Sequence, residues 1–448
     1  MNTVQYAEFM SRVGLLSHDK LVIEQGGECC TYLTLPTIRE GRRVLSMATQ
    51  ANRQARQKTF FNPPIAARRR LGQGMHDRGE AVSFADGTID HADLDGQSRH
   101  LPIHVKAVSV LRRTIAAGDV WDVSVRGEAW GLDDMEELYV TVNVGTLVIE
   151  PGASLIVRGN VFSLLCQEII YPGEPPEDAF QIGILPTPFS VDFGNGPLHG
   201  AHGVDGAAGR SGTDGRKLEA ERTLLGWRLR DQKDLSVMMG DAGEAGKDGT
   251  DGARGRNGGM CKLAELTLRS VSGSITVFAQ AGAGGAGGHG GHGGNGGGGG
   301  KGGDGYKLWQ RIINGGDGGD GGRGGGGAKG GHGGNGGLAS NIYVAVPVED
   351  EYKITRIAHS SQGGNPGEGG RGGAGGEGGR GGAGPEAQFD GKPGRSGAQG
   401  ATGLAGRCGK SRPAPWIFLN DNVKDGHFLA RGLESSTTVS TSFHLNDS

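Results

Sequence analysis

The stretch GGAGGHGGHGGNGGGGGKGGDG, residues 284–305, places glycine in the first two positions of every triplet. A period of three fits neither the 3.6-residue turn of an α-helix nor the two-residue alternation of a strand. It matches the extended left-handed polyproline-II helix, which has three residues per turn, about 3.1 Å of rise per residue and no internal hydrogen bonds. The amides of such a run must find water or a neighbouring segment. A side made only of glycine lets that neighbour come close enough for N–H and C=O groups to meet. Because glycine loses more backbone entropy on ordering than any other residue, a run of this kind is expected to be ordered only beside others.

Five more runs flank this one. Glycine recurs every third residue over 200–215, 240–258 and 391–409, and Gly-Gly-X triplets fill 315–337 and 363–384. Six runs of similar length predict a chain that is mostly irregular or polyproline-II plus β, with a bundle of about six polyglycine-II helices as its C-terminal half. Gly-Gly-X leaves two bare sides, so 284–305, 315–337 and 363–384 are expected inside and 200–215, 240–258 and 391–409 outside. Gly298 and Gly326 take the third place of their triplets and are expected to be covered there as well. The apolar segments between runs, such as 218–239, 263–279, 306–313 and 342–357, read as caps and turns.

Ahead of the glycine half the pattern changes to period two. In Thr146–Gly159, Leu147 and Ile149 share a face, Pro151-Gly152 turns the chain, and Leu155 and Val157 repeat the face before Gly159. This predicts short strands in a β-solenoid or a small sandwich. Four segments follow: a partly helical basic N-terminal region (1–75), a β-rich, solenoid-like domain with a proline-rich linker (76–193), the glycine-repeat segment (194–410) and a tail (411–448). Arg42, Arg43, Arg53, Arg56 and Lys58 make 41–61 a basic helix that reads as a solvated face, with no aromatics interleaved.

Composition narrows the function classes. Ninety-one glycines in 448 residues, with 35% hydrophobic residues, fall outside the range of an ordinary globular enzyme. A net charge of −3 gives no general attraction to nucleic acid or anionic membrane. Five irregularly spaced cysteines form neither a disulfide framework nor a zinc finger and read as reduced thiols. The N-terminus carries no secretory pattern and no run has the length of a membrane span, so the compartment is left open between the cytoplasm and a non-classical export route.

Runs such as GGNPGEGGRGGAGGEGGRGGAG (363–384) resemble polyglycine-II bundle proteins: springtail antifreeze proteins, the adhesins at phage tail-fibre tips and the glycine-rich domain of Obg-type GTPases. The resemblance spans about 194–410 and rests on periodicity. It implies an architecture that binds through its surfaces. Charged third positions, among them Lys301, Asp304, Asp317, Asp320, Arg323 and Lys329, argue against an ice-binding plane.

Few residues suggest chemistry. Leu404–Ser411 ends like a phosphate-binding loop, but its first position is Leu and no buried strand precedes it. His289 and His292 lie one triplet apart on one side of a run, and with His332 they are the metal candidates; an exposed histidine ladder is the plainer reading. Arg323, Arg371 and Arg380, each before Gly-Gly, are offset by Asp320, Glu368 and Glu377, unlike a basic RNA-binding tail. The sequence therefore predicts no catalytic residue and no cofactor. It predicts a non-enzymatic structural or adhesive protein with a protein or surface-glycan partner, in a phage tail, secretion or surface assembly. A collagen-like trimer and an RNA-binding or phase-separating protein are the alternatives.

Overall fold

A computed structural model describes residues 2–12, 17–45, 101–132, 137–174, 176, 179–187, 198–223, 226–229, 235–308 and 311–420. Most of the basic segment 41–61 and all of 421–448 lie outside them. Three α-helices come first: α1 (Thr3–Arg12), α2 (Ser17–Glu24) and, after strand β1 (Glu28–Leu35), α3 (Ile38–Leu45). There follow β2 (Ile103–Ile115), β3 (Val120–Asp122), β4 (Leu138–Ile149), β5 (Ser154–Arg158), β6 (Val161–Ile170) and β7 (Ile182–Leu185). Between and after the glycine runs come β8 (Ala220–Thr223), β9 (Gly226–Leu229), β10 (Ala264–Leu268), β11 (Val271–Ser272), β12 (Ile275–Gln280), β13 (Tyr306–Leu308), β14 (Arg311–Ile313), β15 (Ile342–Ala345), β16 (Ile354–His359) and β17 (Ile417–Leu419).

Two sheets organise these strands. One is mixed and eight-stranded, ordered β1-β2-β4-β6-β10-β15-β17 with β11 also on β6; the other has five strands, ordered β16-β12-β7-β5-β3. Apart from β1, which is antiparallel to β2, their ladders are parallel. From β2 to β7 successive strands alternate between the two sheets, and β10, β12, β15, β16 and β17 continue the alternation, so the chain winds and the inner faces meet in one core; β8-β9 and β13-β14 are separate two-stranded hairpins. Val142, Leu164, Leu266 and Val344 from the first sheet and Leu155, Ile182 and Val277 from the second are at most 1% exposed. Asn160 clamps one corner of the winding: its amide oxygen accepts Val125 N–H (2.9 Å) and its Nδ2 donates to Val125 O (3.0 Å). Gly152 and Gly159, with φ of 78° and 66°, supply left-handed turns between strands.

The fold differs from the class the sequence predicts. The architecture is a large mixed sheet with a parallel partner sheet; it is neither a bundle of polyglycine-II helices nor a collagen-like rod, and its strands do not simply precede the glycine half. The segments read as caps, 263–279 and 342–357, contribute β10, β11, β12, β15 and β16 to the sheets. Strands buried on both faces read as short continuous apolar runs, and such runs are easily taken for caps beside a dominant period of three.

The glycine triplets are extended segments without helix or strand assignment that leave the winding in pairs. Runs one and two (200–215, 240–258) join β7 to β10, runs three and four (284–305, 315–337) join β12 to β15, and runs five and six (363–384, 391–409) join β16 to β17. Backbone hydrogen bonds tie them into two layers. Run one donates to run three from Gly200 N–H to Ala286 O through Gly215 N–H to Lys301 O, at 2.6–2.8 Å, and run three donates to run five in the same manner. Runs two, four and six form the second layer, with Gly240 N–H to Asp317 O and Gly318 N–H to Lys392 O as examples. Antiparallel bonds such as Gly291 N–H to Thr250 O and Gly319 N–H to Gly300 O join the layers.

Runs three and four are each bonded to four others, runs two and five to three, and runs one and six to two. Run five, expected inside, therefore sits at a margin, its first-position glycines facing only run six. The expectation for Gly298 fails as well, whereas at Gly326 a Cβ would lie 3.3 Å from Asp248 Oδ1, so a run-two side chain covers that place. A Cβ on Gly298 would lie 3.7 Å from Glu377 O, an ordinary contact, whereas one on Gly297 would lie 1.9 Å from Arg210 O. Gly298→Ala should therefore leave the melting midpoint unchanged or raise it slightly, by about 0.4–1 kcal/mol of lost unfolded-state entropy. Gly297→Ala should lower it. Equal losses in the two variants, read by thermal melting, would contradict this packing.

Candidate functional site

The third residue of each triplet decides how one run holds the next. In run one, His199 and His202 accept the backbone N–H of Ala286 and His289 through Nδ1, at 3.0 and 2.9 Å; Asp205 and Asp214 accept those of His292 and Lys301 through Oδ1, each at 2.7 Å. His289, His292, Asn295 and Asp304 of run three do the same for run five. In the second layer Asp248, Asp251 and Asn257 serve run four, and Asp317, Asp320, His332 and Asn335 serve run six. Histidine, aspartate and asparagine share one property here: a short side chain that puts an acceptor beside a neighbouring amide. Runs five and six have no later run to hold, and apart from Asn365 the corresponding positions of their triplets carry Glu, Arg, Lys, Ala and Leu instead.

This ladder gathers histidines from different runs into an open cleft of about 370 Å³ on the odd-run face, lined by His202, His289, His292, Asp205 and Glu368. His202 and His289 stack with ring centroids 4.9 Å apart and planes 4° from parallel. Since Nδ1 of each accepts an amide proton, Nε2 is left as the outward donor of the neutral ring. Farther along the same face, the Ala383 N–H and the Lys301 ammonium hold the Asp304 carboxyl below its ordinary range.

No protein-family model, no curated protein and no solved structure matches the chain. The site is read from its own geometry.

Of the three metal candidates, His289 and His292 reach the cleft, while His332 lies in the other layer, accepting Arg407 N–H at 2.8 Å. Among the described residues no group of three or more His, Cys, Asp or Glu is placed to hold a metal ion. The stretch 404–411 is the end of run six and its entry to β17: Gly406 and Gly409 donate their N–H groups to Gly367 O and Gly364 O, and Lys410 N–H goes to Asn335 Oδ1. Those amides are engaged within the protein and do not form a phosphate cradle. Arg323 and Arg371 are likewise fixed by their backbones, through Arg323 O to Gly246 N–H and Arg371 N–H to His292 Nδ1. Burial pushes the Cys166 thiol up to about 12, which keeps it protonated within the core. No helix among the described residues is long and apolar enough to cross a membrane.

Sequence reasoning missed His202, Asp205 and Glu368. One signal was available: the pair His199/His202 repeats the one-triplet spacing of His289/His292 in the next odd run. The stagger that sets His202, and not His199, beside His289 is a tertiary property.

Proposed function

We propose that the chain is a non-enzymatic structural or binding protein. Its paired sheets hold out a two-faced slab of glycine runs, and the slab meets a protein or glycan partner. The observation that carries this reading is the ladder: fifteen side chains of the types that catalysts and metal sites use accept a neighbouring run's backbone N–H. A group fixed in this way positions backbone and presents a regular surface. It is poorly placed to shuttle protons at a reacting centre.

The full-length protein is expected to bind a partner from an array of proteins and glycans and to return it chemically unchanged. It should also show no saturable nucleotide hydrolysis. Turnover of ATP that is lost in Lys410→Ala would overturn the reading, because it would restore the phosphate-loop alternative at 404–411.

A further inference from the structure

The two faces of the slab differ in charge. On the odd-run face Lys217, Lys301, Arg371 and Arg380 are matched by Asp205, Asp214, Asp304, Glu368 and Glu377. On the even-run face the half nearer the sheets is basic. The ladder register sets Arg254, His332 and Arg407 in one row across runs two, four and six: Gly255 N–H donates to His332 O at 2.9 Å and Arg407 N–H to His332 Nδ1 at 2.8 Å. Lys410 lies one triplet beyond Arg407 and Lys329 one triplet before His332. All four cations are exposed, and among the described residues none makes an ion pair. The acid in this half is Asp251, whose Oδ1 accepts Lys329 N–H at 2.8 Å.

The neutral groups add to this bias. Asn257, His332 and Asn335 use Oδ1 or Nδ1 as acceptors inside the ladder. The remaining polar atom of each side chain, Nδ2 of the asparagines and Nε2 of the histidine, is an N–H donor. Guanidinium, ammonium, amide and imidazole donors thus share one flat patch, and run six, at its margin, carries no acidic residue from 391 to 412. Such a patch fits a ligand that is long, anionic and rich in acceptors. Runs two, four and six contain no Phe, Tyr or Trp to stack on a base. A flat face also has no helix or ribbon to enter a groove.

We propose that the sheet-proximal half of the even-run face, centred on Arg254, His332, Arg407 and Lys410, binds an acidic polysaccharide. The assignment rests on the reading of the chain as a binding protein and names the chemistry of its partner. The test uses the full chain with three probes of matched charge: a size-defined heparin oligosaccharide, a hyaluronate fragment that carries carboxylates alone, and a DNA duplex. Arg407→Gln/Lys410→Gln is compared with Arg371→Gln/Arg380→Gln on the opposite face, and every variant is melted to verify folding.

The expected result is salt-dependent binding of at least one polysaccharide, weakened about tenfold or more by the first pair and unchanged by the second. Heparin alone would assign the site to sulfates; hyaluronate binding would extend it to carboxylates. Lack of polysaccharide binding at low salt, equal weakening by both pairs, or tighter binding of the duplex would overturn the assignment. Shortening of a recovered oligosaccharide would instead overturn the non-enzymatic reading and leave the binding surface in place.

Discussion

Gly319→Ala should destabilise the protein by about 1–3 kcal/mol or more, and Asp320→Ala in the same run should cost less. A Cβ on Gly319 would lie 1.9 Å from Asp241 O and 2.4 Å from its carbonyl carbon, both backbone atoms that cannot rotate away. That oxygen already accepts Gly300 N–H at 2.8 Å, and Gly319 itself donates to Gly300 O at 2.9 Å and accepts from Gly379 N–H at 2.8 Å. Relieving the clash therefore moves run four away from run two and strains bonds to runs three and five together. Asp320 is exposed, and its loss removes one acceptor, the 2.7 Å bond from Arg395 N–H. A single exposed hydrogen bond contributes about 0.5–1.5 kcal/mol. Thermal melting of the two variants beside the wild type measures the difference. Equal shifts would mean that the runs are not packed as closely as the backbone bonds require.

What the sequence made legible follows from how local each signal is. The alternation in Thr146–Gly159 is a local property, and the strands at 138–149 and 154–158 with the turn at Gly152 stand where that alternation lies. The triplet period is local too, and it correctly required each run to find its hydrogen bonds on a neighbour. Which neighbour is a different matter. The ladder offsets are 87 residues from run one to run three, 79 from three to five, 78 from two to four and 75 from four to six. Those offsets are set by the lengths of the intervening strands and turns, which no periodicity encodes.

The same cause explains the misread fold. Ala264–Leu268 gains its meaning only beside Phe162–Cys166 and Ile342–Ala345, about eighty to one hundred residues away in sequence. Taken alone, it is a short apolar run of the kind that also caps a turn. The cleft shows this at the level of single residues. His289 and His292 could be picked out as a pair because they share a run, whereas His202 and Glu368 join them only through stacking of the layers.

The second large effect is expected at a buried ion pair in the sheet region. Lys262 Nζ lies 2.8 Å from Glu137 Oε1, with side chains 5% and 0% exposed. Lys262 follows directly on the return of run two into the first sheet, and Glu137 precedes β4, so the pair joins two turns of the winding 125 residues apart. Water is excluded from both groups, and Tyr139 Oη, 3.4 Å away, donates a further weak bond to Glu137. Removing one partner takes away the opposite charge seated 2.8 Å from a buried one, a loss of about 3–5 kcal/mol. Lys262→Met should therefore be strongly destabilising, and more so than any exposed charge deletion on the glycine runs. Replacing both partners, Lys262→Met with Glu137→Gln, should recover much of the loss, because the remaining amide needs only hydrogen bonds. Denaturant melts of the wild type, the two single variants and the double variant form the cycle that isolates the coupling. A double variant as unstable as the sum of the singles would show that the two charges do not act on each other.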